Sequence, residues 1–348
     1  MAAAKRGLRC VLINAARLDF DGSISFEALT RACGMPPTRH EAMPNPEAAV
    51  VAARGHDVVI NKEMPLPKEV IDAFSKEGVK LICEAGTGFN NIDVAAARAR
   101  GIVVTNVPTY ATEAMAHQAI TMVMALSCSL APQFRALQAG DRTHMLDCHL
   151  GRMPHFELTG KTIGLVGGLG TIGSRVAAMA GALGMRVLAS SRTAPSGPRM
   201  VRAADAHASV EVEVEVCPMD ELFARSDFVS VHCPLNGETR GLIGAAALGR
   251  MKPTSYLINT ARGPIVDEAA LVAALRSGSI AGAALDVYGE GSAPPPALPT
   301  DSPLWDLENV LLTPHIGWQR LETRQRVVDA IAETIKVFAR GDVPACAV

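Results

Sequence analysis

Six residues constrain this chain more than any others: Gly168-Leu169-Gly170-Thr171-Ile172-Gly173. They follow an apolar run, Thr162 to Val166, that reads as a buried strand. They precede Gly173 to Leu183, a helix in which Ala177, Ala178, Ala180 and Ala182 permit close packing. Alone, G-x-G-x-x-G spacing is weak; between a buried strand and a helix it is a strong sign of a dinucleotide-binding turn, with a purely structural glycine turn as the alternative. Gly168 permits the tight turn, Gly170 lets the backbone approach a pyrophosphate, and Gly173 lets helix meet strand. The helix start, with Thr171 and Ile172, offers N–H donors and the positive end of its dipole to phosphates.

The rest of the chain keeps the same alternation. Strands are expected at Arg9–Asn14, His56–Asn61, Val79–Cys83 and Gly101–Asn106, with helices at Ser25–Cys33 and Leu66–Lys76 between them. A long apolar helix is expected from Thr112 to Ala131, ended by Pro132. After the glycine loop come strands at Arg186–Ala189, Glu211–Val216, Asp227–His232, Ser255–Asn259 and Ala281–Val287. Helices follow at Leu271–Arg276 and Leu321–Arg340, with a stiff loop at Pro294–Pro299. Glu and Val alternate strictly through 211–216, so one face of that strand should be solvated. The fold expected is α/β: two Rossmann-like, doubly wound parallel-sheet domains with a cleft between them. Residues 1–106 would form the first part of a substrate domain, 107–314 a nucleotide-binding domain, and 315–348 the return to the first. Hinges near Asn106 and Pro314 would let the cleft close and exclude water.

Composition narrows the class. The 348 residues are 49% hydrophobic and 20% charged, with a net charge of -2, a core-rich globular profile. No run of one sign suggests a nucleic-acid surface or a polybasic membrane patch, so neither partner is expected. The apolar stretch around Met115–Leu130 carries His117 and Gln118 and reads as a buried helix, with His117 packed or capping. None of the eight cysteines stands in C-x-x-C spacing. With no h-region or cleavage site at the start, this points to reduced thiols and a cytoplasmic location. Cys83 and Cys233 read as buried structural thiols. His144, Cys148, His149 and His155 fit no standard zinc spacing, and no metal is expected.

The strand after the glycine loop ends Ala189-Ser190-Ser191-Arg192-Thr193. An NAD enzyme usually carries Asp or Glu there, on the ribose 2′-OH. Here Arg192 offers a fork of donors to a 2′-phosphate, with the Ser191 and Thr193 hydroxyls beside it. NADP(H) is therefore expected in preference to NAD(H); a surface arginine on a loop tip is the alternative.

Three later segments, Asn259 to Gly263, Leu285 to Glu290 and Thr313 to Trp318, place Arg262, Glu290 and His315 at or after strand ends. In open α/β sheets those ends face the ligand crevice. Singly, each residue has a bland reading as a loop or surface side chain. Together they suit hydride transfer to a ketone: a histidine to protonate the oxygen, a carboxylate to orient the imidazole, and an arginine to hold a substrate carboxylate.

On these segments, with Glu84-Ala85-Gly86-Thr87-Gly88-Phe89-Asn90-Asn91-Ile92-Asp93 and Val231-His232-Cys233-Pro234-Leu235, the chain resembles the D-isomer-specific 2-hydroxyacid dehydrogenase family over nearly its whole length. Ser190 to Thr193 and His315 to Trp318 look most like glyoxylate/hydroxypyruvate reductases and glycerate dehydrogenases. The resemblance implies that Arg262 binds substrate, His315 is the acid/base and Glu290 its partner. Gly86, Thr87 and Gly88 would cradle the substrate carboxylate, with Thr87 near the nicotinamide. Cys233, Thr260, Asp286, His315 and Gly317 would line the cofactor site, Asp286 near the carboxamide. The family is typically a homodimer. Two departures stand out. Glu290 lies four residues after Asp286, where the family's glutamate lies five after and precedes a proline. Residues Arg199 to Val216 are longer and more charged than usual. The chain also stops soon after its last helix, without the regulatory extension of long phosphoglycerate dehydrogenases.

The reading is NAD(P)H-dependent reversible reduction of a small 2-keto acid, glyoxylate or hydroxypyruvate, to the D-2-hydroxy acid. The alternatives are an NAD(H)-binding corepressor-like protein, or a different substrate on the same scaffold, such as phosphoglycerate, formate or a bulkier 2-keto acid.

Overall fold

A computed structural model describes residues 7–143, 153–204, 209–289 and 301–348. The chain divides into two compact units. The first holds the residues up to Ala111 and returns at Trp318–Val348; the second runs from Thr112 to Gly317. These limits fall a few residues beyond 106 and 314 for local reasons. Val107 N donates to Gly86 O (2.9 Å) and Arg326 Nε to Tyr110 O (3.0 Å), tying 107–111 to the first unit. Ile316 N and Gly317 N both donate to Asp286, tying the histidine turn to the second.

The first unit is a five-stranded parallel sheet in the order β2-β1-β3-β4-β5: β1 Cys10–Ile13, β2 Thr38–His40, β3 Val58–Asn61, β4 Leu81–Glu84 and β5 Val103–Thr105. The central strands β1, β3 and β4 are buried throughout, as strands covered on both faces must be. Helices α1 (Glu27–Cys33), α2 (Pro46–Ala53), α3 (Lys68–Glu77) and α4 (Val94–Ala99) connect them. The C-terminal helix, Leu321–Ala339, returns to pack on α1. Its buried Arg324 makes a two-point ion pair with Asp21 (2.9 and 2.7 Å).

At the C-terminal ends of β3 and β4, one carboxylate organises two loops. Glu84 is buried and accepts from Asn61 Nδ2 (2.6 Å), Asn91 Nδ2 (3.1 Å) and Glu63 N (3.1 Å). Burial pushes its carboxyl up to about 7, against the pull of the Lys62 ammonium. Lys62 itself is buried, donates to Ala85 O (3.2 Å) and Glu63 Oε1 (2.9 Å), and lies 3.6 Å from the Trp318 ring centre.

The second unit is an eight-stranded sheet in the order β13-β12-β11-β10-β6-β7-β9-β8. Six strands run parallel through its centre: β13 Val310–Leu312, β12 Gly282–Leu285, β11 Tyr256–Asn259, β10 Phe228–Val231, β6 Thr162–Val166 and β7 Arg186–Ser190. The charged segment beyond 199 is a hairpin at the sheet edge. Its strands, β8 (Gly197–Ala204) and β9 (Ser209–Val216), pair antiparallel, and β9 adds parallel to β7. Glu211 and Glu213 face solvent while Val214 and Val216 are buried, the alternation read from the sequence.

The expected helix from Thr112 to Ala131 is instead two: α5 (Thr112–Ser127) and α6 (Leu130–Gln138), bent by 63°. Ser129 takes a left-handed conformation at the break (φ 49°). Pro132 falls in the first turn of α6, where its missing N–H costs no helical bond, so it does not end the helix. His117 is exposed, 3.9 Å from Glu113, and not packed. Its neighbour Gln118 is the buried polar residue of α5. Among the described residues no single helix is long and apolar enough to cross a membrane. Helix α7 (Thr171–Ala182) follows the glycine loop and packs on α5.

The glycine loop is closed by its own backbone. A Cβ on Gly173 would lie 2.6 Å from Gly168 Cα, and one on Gly168 2.6 Å from Leu165 Cβ. Gly173→Ala should therefore cost about 1–3 kcal/mol, read as a lower urea midpoint; an unchanged midpoint would show that the loop can relax. Glu84 generates a second expectation. Its folded carboxyl titrates at about 7 against an ordinary 4.5, so its stabilising contribution is present below 4.5 and lost as pH rises through about 7. The melting temperature of Glu84→Gln should fall less steeply between those pH values than that of the wild type. Parallel curves would remove Glu84 as the titrating group.

Candidate active site

The second unit's sheet has one topological switch. From β6 the chain moves outward through β7, then crosses back to place β10 on the other side of β6. Ligands of open α/β sheets sit outside the strand ends at such a point. The strands are in register there: Ser190 lies beside Val166, Val166 beside Val231, Val231 beside Asn259, Asn259 beside Leu285, and Leu285 beside Leu312. The loops that follow these residues therefore leave the sheet along one edge. They carry Gly167–Gly173, Ser191–Thr193, His232–Cys233, Thr260–Arg262, Asp286–Gly289 and Thr313–Gly317.

The β6 and β10 loops meet at Gly167, a residue that sequence reading missed. Its φ is +82°, and a Cβ there would sit 2.9 Å from Cys233 N. Gly170 differs from its neighbours. It caps the N-terminus of α7 without a side-chain cap, is exposed, and a Cβ on it would meet nothing nearer than 3.5 Å. The protein's own packing does not require glycine at 170. Close approach of a ligand to the backbone, beside the first-turn N–H donors of Thr171, Ile172 and Gly173, would. Across the same edge the Thr260 hydroxyl is buried with no hydrogen-bond partner among the described residues. An approachable phosphate cradle and an unsatisfied buried hydroxyl are what a bound dinucleotide would complete.

At the end of β7, Ser191 Oγ accepts from Thr193 N (3.3 Å) and Ala194 N (3.0 Å), shaping the turn that presents Arg192. The sequence shows no carboxylate at this strand end, but the fold supplies one from elsewhere. Arg192 Nη1 pairs with Glu238 Oε2, from the loop after β10. No local signal could reveal a partner so distant in the chain.

Arg262 follows β11. Asn259 shapes its turn, accepting from Ala261 N (3.0 Å) and donating to Arg262 O (2.9 Å). One guanidinium nitrogen donates to Ala261 O (2.8 Å), and among the described residues no carboxylate pairs with the group. A Cβ on the next residue, Gly263, would lie 2.6 Å from Tyr288 C, so the loops after β11 and β12 are in contact.

Asp286, fully buried, anchors the histidine turn. Oδ1 accepts from Thr313 Oγ1 (2.5 Å) and Ile316 N (3.0 Å), and Oδ2 from Gly317 N (3.0 Å). Burial pushes its carboxyl up, and these three donors pull it back. Gln118 adds a bond to Thr313 Oγ1 (3.3 Å). The turn holds His315 partly exposed at φ 55°, a sparsely populated conformation for a non-glycine residue and typical of functional sites. The edge's other histidine, His232, bonds Ser230 Oγ (2.9 Å), and burial pushes its imidazole down to about 4. It is neutral near pH 7. Burial likewise pushes the Cys83 thiol up to about 12 and raises that of Cys233, so neither is a ready thiolate. Glu290 lies outside the described residues. The preceding Gly289 N donates to Glu268 Oε2 (3.0 Å), a contact not foreseen from the sequence.

In the first unit, Gly86 and Thr87 are held by backbone. Thr87 Oγ1 donates to Val107 O (2.9 Å) and Pro108 O (3.2 Å), and Asn106 Nδ2 donates to Thr87 O (2.7 Å). The Thr87 hydroxyl thus pins its own loop. Among the described residues no group of three or more metal-ligating side chains could hold an ion; His144, Cys148 and His149 lie outside them.

Residues 120–317 match the family model described as D-isomer specific 2-hydroxyacid dehydrogenase, NAD binding domain. The chain is 36% identical over 307 residues to a glyoxylate reductase of Korarchaeum cryptofilum, covering 88% of this chain and 86% of that one. It is 37% identical over 289 residues to a D-3-phosphoglycerate dehydrogenase of Mycobacterium leprae, covering 82% of this chain and 49% of that one. Its fold matches the apo-structure of D-lactate dehydrogenase from Escherichia coli with a TM-score of 0.76 at 26% identity, over 98% and 100% of the two chains. A nicotinamide-dependent oxidoreductase acting on the CH–OH group of 2-hydroxy acids is what the switch point, the glycine cradle and these likenesses jointly describe: the chain belongs to the D-isomer-specific 2-hydroxyacid dehydrogenase family.

Proposed function

We propose that this protein reduces a small 2-keto acid, glyoxylate or hydroxypyruvate, to the D-2-hydroxy acid, reversibly and with NADPH in preference to NADH. The observation that carries the reading is the placing of Arg262 and His315 on loops flanking that of Asp286, along the edge that also bears the glycine cradle. The glyoxylate reductase likeness over most of the chain supports a small substrate.

When bound, the cofactor supplies the hydride to C2. The protein's part is to bind, orient and protonate. The Arg262 fork holds the substrate carboxylate and polarises the adjacent carbonyl. In the first unit, the backbone N–H groups of Gly86, Thr87 and Gly88 are the proposed donors to a substrate carboxylate. His315 gives its proton to the carbonyl oxygen as charge develops there, and takes it back in the reverse direction. Glu290 would favour the imidazolium, while Asp286 keeps the turn that aims it. Cys233, Thr260 and Gly317 line the cofactor site, and Arg192 with Ser191 and Thr193 grips the 2′-phosphate. In this reading the first unit is the substrate domain and the second the NADP domain, in a cytoplasmic homodimer.

His315→Ala should lower kcat by about 10²–10⁴-fold with NADPH binding, followed by fluorescence titration, kept. Near-normal turnover would overturn the acid/base assignment. Arg192→Ala should raise KM for NADPH about tenfold and leave that for NADH within about twofold; an equal loss for both would refute the 2′-phosphate role.

A further inference from the structure

The Arg192–Glu238 pair joins loops on the two sides of the glycine cradle, since β7 and β10 flank β6. Both side chains are open to solvent, 78% and 71% exposed, so the contact is within reach of a ligand. Both are nonetheless fixed at the backbone. The Ser191 turn presents Arg192. On the other side Asn236 Oδ1 accepts from Glu238 N (2.9 Å) and Thr239 N (3.0 Å), while Thr239 Oγ1 donates to Pro234 O (2.7 Å). Gly241 N donates to Pro264 O (2.8 Å), tying the Glu238 turn to the loop after β11. Glu238 is therefore held beside Arg192 by a defined turn.

That place is where the adenosine ribose of a dinucleotide lies when its pyrophosphate rests on the glycine cradle. A carboxylate and a guanidinium there act oppositely on a 2′-phosphate. Arg192 attracts a 2′-phosphate. Glu238 repels it, and also occupies the guanidinium that would receive it. With NADH there is no phosphate to repel, and the pair can stay closed.

We propose that Glu238 is a specificity-determining residue that holds back Arg192: its carboxylate competes with the cofactor's 2′-phosphate and so keeps the preference for NADPH over NADH moderate. The inference rests on the assignment of Arg192 to the 2′-phosphate. No step of the hydride transfer involves Glu238, so it should alter cofactor binding and leave chemistry alone.

The test compares wild type, Glu238→Gln, Arg192→Ala and the double variant, reading KM and kcat for NADPH and NADH with glyoxylate, and the affinity for adenosine 2′,5′-bisphosphate. Glu238→Gln should lower KM for NADPH about three- to tenfold, tighten the bisphosphate equally, and leave kcat and the NADH values within about twofold. In the Arg192→Ala background most of that gain should vanish, because the freed fork is then missing. If Glu238→Gln raises KM for NADH instead, the carboxylate serves the ribose hydroxyl and the proposal is overturned. No change with either cofactor overturns it too. The two failures separate cleanly. Should Arg192→Ala weaken both cofactors alike, the 2′-phosphate assignment itself falls. Should Arg192→Ala behave as expected while Glu238→Gln is silent, only the role of Glu238 falls.

Discussion

The site depends on parallel strands paired in register. Six strands of the second unit end within one residue level of each other, because each pairs with its neighbour without an offset at its last residue. Their carboxyl ends then deliver six loops to one edge, and the return of β10 to the far side of β6 makes the switch point at which open α/β sheets bind ligands. A one-residue slip in any pair would turn its side chains to the opposite face and displace its loop. The burial of β6, β10, β11 and β12 on both faces makes such a slip expensive, so the core sets the precision of the site.

Within that frame, buried carboxylates act as construction points. Asp286 gathers three donors from the histidine turn, and Glu84 gathers three from the end of β3 and the loops after β3 and β4. A buried carboxylate is costly unless its oxygens are satisfied. Here the donors come from the loops that carry Ile316, Gly317 and Asn91, so satisfying the charge and shaping the loop are the same event. Lys62 adds a second anchor to the Gly86 loop through Ala85 O.

What the sequence disclosed was local. The glycine turn, Arg262 and His315 each follow a buried apolar run within a few residues, and the strand periodicity around them is strong. Short elements with little periodicity, such as β2, α2, α4 and β13, went unread. The break at Ser129 was misplaced to Pro132, since proline marks a helix start as readily as a stop. The excess charge after Arg199 became intelligible only as an edge hairpin with its glutamates in water. The roles of Glu84 as a loop anchor and of Glu238 as the partner of Arg192 were not legible, because they lie in contacts made only when separate strand ends come together.

The most direct measurement of the central claim is steady-state oxidation of NADPH and NADH by the purified protein with glyoxylate, hydroxypyruvate, 3-phosphohydroxypyruvate and phenylpyruvate. The account predicts turnover with the two small acids, faster at low cofactor concentration with NADPH, and little with the phosphorylated or bulky acid. Turnover confined to phosphohydroxypyruvate or phenylpyruvate, or to NADH, would contradict it.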